Sequence, residues 1–136
     1  MNIAFYLLPK EKTAYLTPQA TMRQALEKME FHRFTAIPIV NQQGKYEGTL
    51  TEGDLLWKLK NTPGLSFENT HKISLTDVPQ RMKVEPIRIE AQIEDLIDLS
   101  MQQNFVPIVD DKDHFIGIIR RSDIISYCKN KLFSLR

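Results

Sequence analysis

The segment AIPIVNQQGKYEGTLTEGDLL, residues 36–56, returns in altered form as FVPIVDDKDHFIGIIRRSDII, residues 105–125. The two segments align without a gap at an offset of 69 positions, and most of their non-identical pairs keep the same apolar or polar character. A repeat of this kind indicates that the chain contains two copies of one structural unit. The identical pairs are Pro38/Pro107, Ile39/Ile108, Val40/Val109, Gly48/Gly117 and Asp54/Asp123.

The bulk composition limits the classes of protein to which the chain can belong. It has 136 residues, so each copy has about 60 residues and buries too little surface to be stable alone. A net charge of +1 offers no field that would attract nucleic acid or an anionic membrane. The single cysteine, Cys128, excludes a disulfide or a cysteine zinc site within the chain. The first residues are too short an apolar run for a signal peptide or a membrane span, and we expect a cytoplasmic protein.

The same order of elements is predicted in both copies from apolar periodicity and turn residues. Residues 3–8 fit either a strand or a helical turn, and Thr21 is the expected N-cap of the first long helix. Pro38 and Pro107 lack an N–H, which indicates an edge strand or a strand start. The segment between helix and strand is two residues shorter in the second copy. The predicted elements are strand 13–16, helix from 21, strands 35–40 and 46–51, helix from 54, then strand 87–89, helix 93–101, strands 105–109 and 115–119, and helix from 123.

These elements predict an α+β fold made of two pseudo-symmetric units. Each unit is expected to be a small three-stranded sheet with helices packed on one face, the two units sharing one core. The predicted limits are residues 1–60 for the first repeat, 61–75 for a linker and 76–136 for the second repeat.

Thr51 and Asp54 stand where a predicted strand ends and a predicted helix begins. A helix N-terminus presents free N–H groups and a partial positive charge, which suit a phosphate. A threonine hydroxyl there can donate to a phosphate oxygen, and an aspartate can accept from two ribose hydroxyls. The same spacing is close to a helix capping box, in which the two side chains bond to each other's backbone. Judged on the first copy alone, the capping interpretation is favoured over ligand binding.

The second copy has Arg120 and Asp123 at the matching positions. Arginine has no acceptor atom and cannot replace a capping threonine, yet the aspartate is retained. This pattern favours ligand binding over capping, although Asp123 acting as a helix cap is the alternative. Under the ligand interpretation, Arg120 is a cation for a phosphate. The neighbouring Arg121 is interpreted as a solvated surface charge.

Metal binding and catalysis are not predicted. The three histidines have neither a partner at helical spacing nor a nearby cysteine, so a zinc site is not expected. The turn at residues 110–113 carries three aspartates but lacks the central glycine and closing glutamate of a calcium loop. The sequence contains no Walker loop, nucleophile elbow or dinucleotide fingerprint.

The ordered set of motifs, present twice, resembles the cystathionine-β-synthase (CBS) domain family in its tandem form, the Bateman module. The likeness covers roughly residues 5–60 and 75–130, and it depends on the set, since each motif alone is common. Arg120 departs from the threonine or serine of the family pattern. The motifs are Ala25-Leu26, Ile37-Pro38-Ile39-Val40-Asn41 and Gly48-x-x-Thr51-x-x-Asp54-Leu55 in the first copy, and Val106-Pro107-Ile108-Val109-Asp110 and Gly117…Asp123-Ile124 in the second.

The resemblance implies a function and a set of site residues. It implies two clefts between the copies that bind AMP, ADP, ATP, S-adenosylmethionine or cyclic di-AMP as regulatory ligands, with no cofactor. It also implies a flat homodimer and, with no catalytic domain attached, a sensor that acts on an effector protein. A ligand-free structural or dimerisation scaffold is the alternative, and a catalyst ranks below both. The implied ligand-binding residues are Tyr15, Ala36, Ile37, Pro38, Thr51, Asp54, Phe105, Val106, Pro107, Arg120 and Asp123; Tyr15 as a core residue and the prolines as plain edge-strand residues are the alternatives.

Overall fold

The α-helices and the two hairpins follow the order in which the two copies predict them. The computed structural model describes residues 2–134. Short 3-10 helices at Ile3–Tyr6, Lys10–Lys12, Phe67–Lys72 and Leu75–Asp77 join the regular elements. The regular elements are β1 (Leu8–Pro9), α1 (Met22–His32), β2 (Ala36–Val40), β3 (Tyr46–Thr51), α2 (Glu52–Asn61), β4 (Ile87–Arg88), α3 (Ile93–Ser100), β5 (Phe105–Val109), β6 (Phe115–Arg120) and α4 (Arg121–Phe133).

Residues 14–83 form one compact unit around the hairpin β2–β3. The hairpin is antiparallel, and the predicted first strand is reduced to one parallel bridge between Leu16 and Ile39. Thr21 caps α1 as predicted, because its hydroxyl accepts from the Gln24 N–H while the Gln24 side chain accepts from the Thr21 N–H. The core is formed by apolar side chains of the hairpin, both helices and the connection that follows them: Leu16, Met22, Ala25, Met29, Ile37, Ile39, Leu50, Leu55, Leu75 and Val78.

Residues 2–13 and 84–134 form the second compact unit. Its sheet has four strands in the order β1-β6-β5-β4, with β1 and β5 antiparallel to β6 and β4 parallel to β5. The repeat itself therefore supplies three strands, as predicted, and the start of the chain adds a fourth. The core consists of Ile3, Ile93, Leu96, Val106, Ile108, Ile119 and Ile124.

The compact units do not coincide with the limits predicted from the sequence. The start of the chain belongs with the second repeat, because β1 pairs with β6 through Leu8 opposite Ile118 and Pro9 opposite Gly117. Conversely, residues 76–83 belong with the first repeat, since Leu75 and Val78 are buried in its core. Thus residues 2–13, at the start of the chain, pack with the second repeat, and residues 76–83, which precede β4, pack with the first.

The strand prolines are tolerated for a reason other than an edge position. The expectation of an edge strand is wrong for Pro107, since β5 lies between β6 and β4. Its missing N–H leaves no gap in the ladder because β4 pairs with β5 only from Ile108 onwards. In the first repeat, β2 has β3 on one side and only a single bridge, at Leu16, on the other. At this bridge the carbonyl of Pro38 accepts from the Leu16 N–H at 2.9 Å.

The shortening of the second copy lies in its helix rather than in the loop that follows. α1 has 11 residues and α3 has 8, whereas the connection to the next strand is one residue longer after α3. Within residues 2–134, no helix combines the length and the apolarity that crossing a membrane requires.

Candidate functional site

Each repeat brings its candidate residues together at the end of a hairpin. Ala36 lies opposite Thr51 in the register of β2 and β3, and Phe105 lies opposite Arg120 in that of β5 and β6. The next helix starts at the following residue in both cases, which places the aspartate of each repeat in the first turn of that helix. The repeat thus builds the same corner twice, with different side chains at the threonine position.

The corner of the first repeat is closed. Asp54 is 2% exposed, and the Oδ2 atom of its carboxylate accepts from the Thr51 N–H at 2.9 Å. The Thr51 hydroxyl accepts in turn from the Asp54 N–H at 3.2 Å, so the two residues form the capping box that was the alternative interpretation. The Oδ1 atom accepts from the Arg81 N–H at 3.0 Å. Both carboxylate oxygens of Asp54 therefore already have backbone donors.

The chain segment that holds Arg81 also covers Gly48. Gly48 has a φ of +139°, and a Cβ atom built on it would lie 2.0 Å from Oε1 of Gln80. The amide end of Gln80 therefore rests on the Gly48 backbone. Sequence reasoning missed this segment, because its contact with Asp54 is made by a main-chain N–H, which every residue except proline possesses.

The corner of the second repeat is open. The side chain of Asp123 is 29% exposed and that of Arg120 is 54% exposed. Nε of Arg120 donates to Oδ2 of Asp123 at 2.9 Å, and its second contact, from Nη2 to Oδ1, is long at 3.5 Å. Arg120 is the N-cap residue of α4, and no side-chain hydrogen bond caps this helix, in line with its lack of an acceptor atom. A carboxylate and a guanidinium thus lie side by side within reach of solvent.

Arg121 is not the solvated charge that the sequence suggested. Its Nε donates to the carbonyls of Ser100 at 2.8 Å and Gln103 at 3.0 Å, which satisfies acceptors at the C-terminal end of α3. Gln103 is buried, and its side chain bonds to the backbone of Glu85 and Phe105. These two residues therefore stabilise the loop between α3 and β5, which leads directly to the open corner.

The apolar candidates lie mainly inside their units. Ile37 and Pro38 are buried, as are Phe105, Val106 and Pro107, whereas Ala36 is half-buried. Any contact of a ligand with β2 or β5 would therefore use main-chain groups at the end of the strand that lies next to the corner. Tyr15 is half-buried and precedes Leu16, whose N–H bonds to the Pro38 carbonyl, so Tyr15 lies beside the middle of β2 rather than at the corner.

An open apolar groove of about 730 Å³ lies between α1 and α2 of the first unit. Glu52, which matches Arg121 of the second repeat, is one of the residues that line this groove. Arg23 holds the segment that contains Phe67, one of the residues that line the groove, because the Arg23 guanidinium donates to the Thr70 hydroxyl and to the Phe67 carbonyl. The apolar lining residues are Leu26, Met29, Phe34, Leu55, Leu56, Leu59 and Phe67.

The aspartate-rich turn at residues 110–113 is stabilised by its own backbone. Oδ1 of Asp110 accepts from the N–H groups of Lys112 and His114, both at 2.9 Å. The hydrogen bond from the His114 N–H is the largest cause that lowers the pKa of the Asp110 carboxyl below its ordinary value. Within residues 2–134, no three His, Cys, Asp or Glu side chains are grouped so that they could hold a metal ion.

Comparison with known proteins adds a family and a fold. A family model described as "CBS domain" matches residues 8–61 and 75–130. A homoserine O-acetyltransferase of Methanococcoides burtonii is 29% identical over 114 residues, which are 84% of this chain and 22% of that protein. The chain thus spans about a fifth of the length of this relative.

Two solved structures share the fold across nearly the whole chain. The CbpB protein of Listeria monocytogenes in complex with c-di-AMP has a TM-score of 0.84 at 21% identity, and the match covers 100% of both chains. CBSX2 in complex with AMP has a TM-score of 0.75 at 19% identity, with 95% and 96% of the two chains covered. At these identities the likeness establishes the architecture.

Proposed function

Because the chain belongs to the CBS domain family, we propose that it is a regulatory module that binds an adenine nucleotide and signals to a partner protein. The observation that carries the proposal is the exposed Arg120–Asp123 pair at the end of a hairpin in the second repeat. Structures with the same fold hold c-di-AMP in one case and AMP in another, which supports this class of ligand. The lone free cysteine, Cys128, suits the reducing cytoplasm, where we propose that the module works.

The chemistry of the open corner suits the two polar parts of a nucleotide. The Asp123 carboxylate can accept hydrogen bonds from both ribose hydroxyls, and such charge-assisted bonds are stronger than neutral ones. Arg120 can then turn its planar guanidinium to a phosphate, which it recognises through two parallel N–H donors. The start of β5 at Phe105, which lies next to the open corner, is where main-chain groups would meet the purine. The equivalent groups of the first repeat are Thr51, Asp54 and the start of β2 at Ala36.

Replacing Asp123 with alanine is expected to weaken AMP binding about 10- to 100-fold, the size of a lost charged hydrogen bond. Isothermal titration of the full chain with AMP, ADP, ATP, S-adenosylmethionine and c-di-AMP measures this effect. Asp98→Ala, which removes an exposed carboxylate from α3, is the control for the change in net charge and should bind as the unchanged protein does. Equal affinity in the Asp123→Ala variant would refute the role of this carboxylate.

Arg120 is expected to make the second repeat select ligands that carry phosphate. When the Asp123 carboxylate accepts hydrogen bonds from a ribose, its ion pair with Arg120 is broken. Only a ligand that carries a phosphate then supplies the guanidinium with a new anion. We therefore expect AMP to bind at least about tenfold more tightly than adenosine, the effect of one charged hydrogen bond. The variant Arg120→Thr, which installs the residue of the first repeat, should lose most of this preference. An unchanged ratio of AMP to adenosine affinity in the variant would contradict the assignment.

A ligand-free scaffold that dimerises through its helices is the second candidate. The groove of the first unit favours it, because exposed apolar side chains such as Leu56 and Phe67 border a surface that a second copy can cover. A nucleotide at 100 times its dissociation constant should stabilise a binding module by about 2.7 kcal/mol. A melting temperature that no nucleotide raises would therefore favour the scaffold. We propose no acetyltransferase chemistry, since the match covers only 22% of that enzyme.

A further inference from the structure

We propose that residues 79–81, hereafter the strap, hold the nucleotide site of the first repeat closed, so that the free protein binds one nucleotide per chain, at the second repeat. The inference rests on the proposed function and specifies its regulation. It requires that the strap and a ribose compete for the same atoms of Asp54.

The first argument is the state of the Asp54 carboxylate. Its Oδ2 atom is engaged by the Thr51 N–H and its Oδ1 atom by the Arg81 N–H, and 2% of the residue is exposed. A ribose hydroxyl can reach the carboxylate only if one of these donors leaves. The Thr51 donor belongs to the start of α2 and its loss would open the helix, whereas the Arg81 donor lies in a segment without helix or strand. The strap is therefore the part that gives way.

The second argument is that the strap makes a further contact on the same corner. The amide end of Gln80 rests on Gly48, at a place where even a Cβ atom would overlap it. Val78, immediately before the strap, is buried in the core of the first unit and anchors it. Gln80 and Arg81 are themselves exposed, so releasing them costs little apolar burial. A segment anchored at one end and exposed along its length suits a reversible cover.

The third argument is the contrast with the second repeat. There the aspartate is bonded by the side chain of Arg120 and remains 29% exposed. A flexible, solvated side chain exchanges partners without displacing any backbone, and surface ion pairs of this kind contribute at most about 1 kcal/mol. The two corners have the same backbone arrangement. A ligand must displace a backbone donor to reach Asp54, but only a side chain to reach Asp123.

The test compares two substitutions at one position. Arg81→Pro removes the N–H that bonds to Asp54, whereas Arg81→Ala keeps this N–H and removes only an exposed side chain. Isothermal titration with AMP should give one site per chain for the unchanged protein and for Arg81→Ala, and two for Arg81→Pro. In Arg81→Pro combined with Asp123→Ala, the added site should keep its affinity while the other site weakens about 10- to 100-fold, which identifies the added site as that of the first repeat.

Hydrogen exchange of the Arg81 amide provides a measurement that needs no variant. In the nucleotide-free protein this amide should exchange at least about tenfold more slowly than an unprotected amide, although the residue is exposed. Exchange at the unprotected rate would overturn the proposal, as would two equal sites in the unchanged protein or one site in a folded Arg81→Pro variant. Absence of binding by every variant would instead refute the proposed function, so the two failures are distinguishable.

Discussion

Replacing Asp54 with alanine is expected to lower the free energy of unfolding by about 2–4 kcal/mol. The substitution removes one of the two bonds of the capping box of α2, because the residue-54 N–H can still donate to the Thr51 hydroxyl while the carboxylate that accepts from the Thr51 N–H is lost. It also leaves the part-buried N–H groups of Thr51 and Arg81 without the acceptor they have in the native protein, and an unsatisfied group costs about 1–3 kcal/mol when it is fully buried. Urea denaturation of the full chain, followed by circular dichroism, measures the difference.

The pseudo-symmetric position supplies the matched control for this prediction. Asp123→Ala removes the same carboxylate from the same turn of α4, but its partner there is the exposed side chain of Arg120. The expected loss is below about 1 kcal/mol, as for other solvent-exposed ion pairs. The loss for Asp54→Asn should fall between those of the two alanine variants, since the asparagine amide offers one acceptor oxygen to the two N–H donors that bond to Asp54. Equal losses at Asp54 and Asp123 would show that burial does not distinguish the two corners.

The features that the sequence predicts are those encoded by local patterns. The repeat at an offset of 69 residues aligns both hairpins and the helices that follow them, and each of these elements is present. The capping role of Thr21 was predictable because the hydroxyl residue directly precedes an apolar stripe of helical spacing. The apolar runs at residues 35–40 and 105–109 also predicted two strands, and β2 and β5 are present there.

The features that escaped prediction depend on contacts between distant parts of the chain. β1 has only two residues, one of them Pro9, and no local pattern indicates that it joins β6. The closure of the first corner depends on an Arg81 N–H, and main-chain donors leave no mark in a sequence. Gln103 and Arg121 look like surface residues until the loop after α3 brings carbonyl groups within their reach. Candidate site residues can thus be named from a motif, while their accessibility depends on the chain path.

Gly117 lies where the chain start crosses the second repeat, and its replacement by alanine is expected to cost about 3–5 kcal/mol. Its φ of +152° is rarely adopted by residues that carry a side chain, and such backbone strain costs about 1–3 kcal/mol. The added Cβ would also lie 2.2 Å from the carbonyl oxygen of Leu8, which is too close to be tolerated. The substitution should therefore detach β1 from β6 as well. Urea denaturation measures the loss, and faster amide exchange at Leu8 and Ile118 would report the detachment.

Gly48→Ala is the control, because Gly48 occupies the same position in the first repeat and has a similar φ of +139°. Its added Cβ meets the flexible end of the Gln80 side chain, which can swing away, so the expected loss is only the strain of about 1–3 kcal/mol. The difference between the two variants isolates the cost of pushing backbone against backbone. If Gly48→Ala proved as harmful as Gly117→Ala, the strap would be held as firmly as a strand and could not serve as a reversible cover.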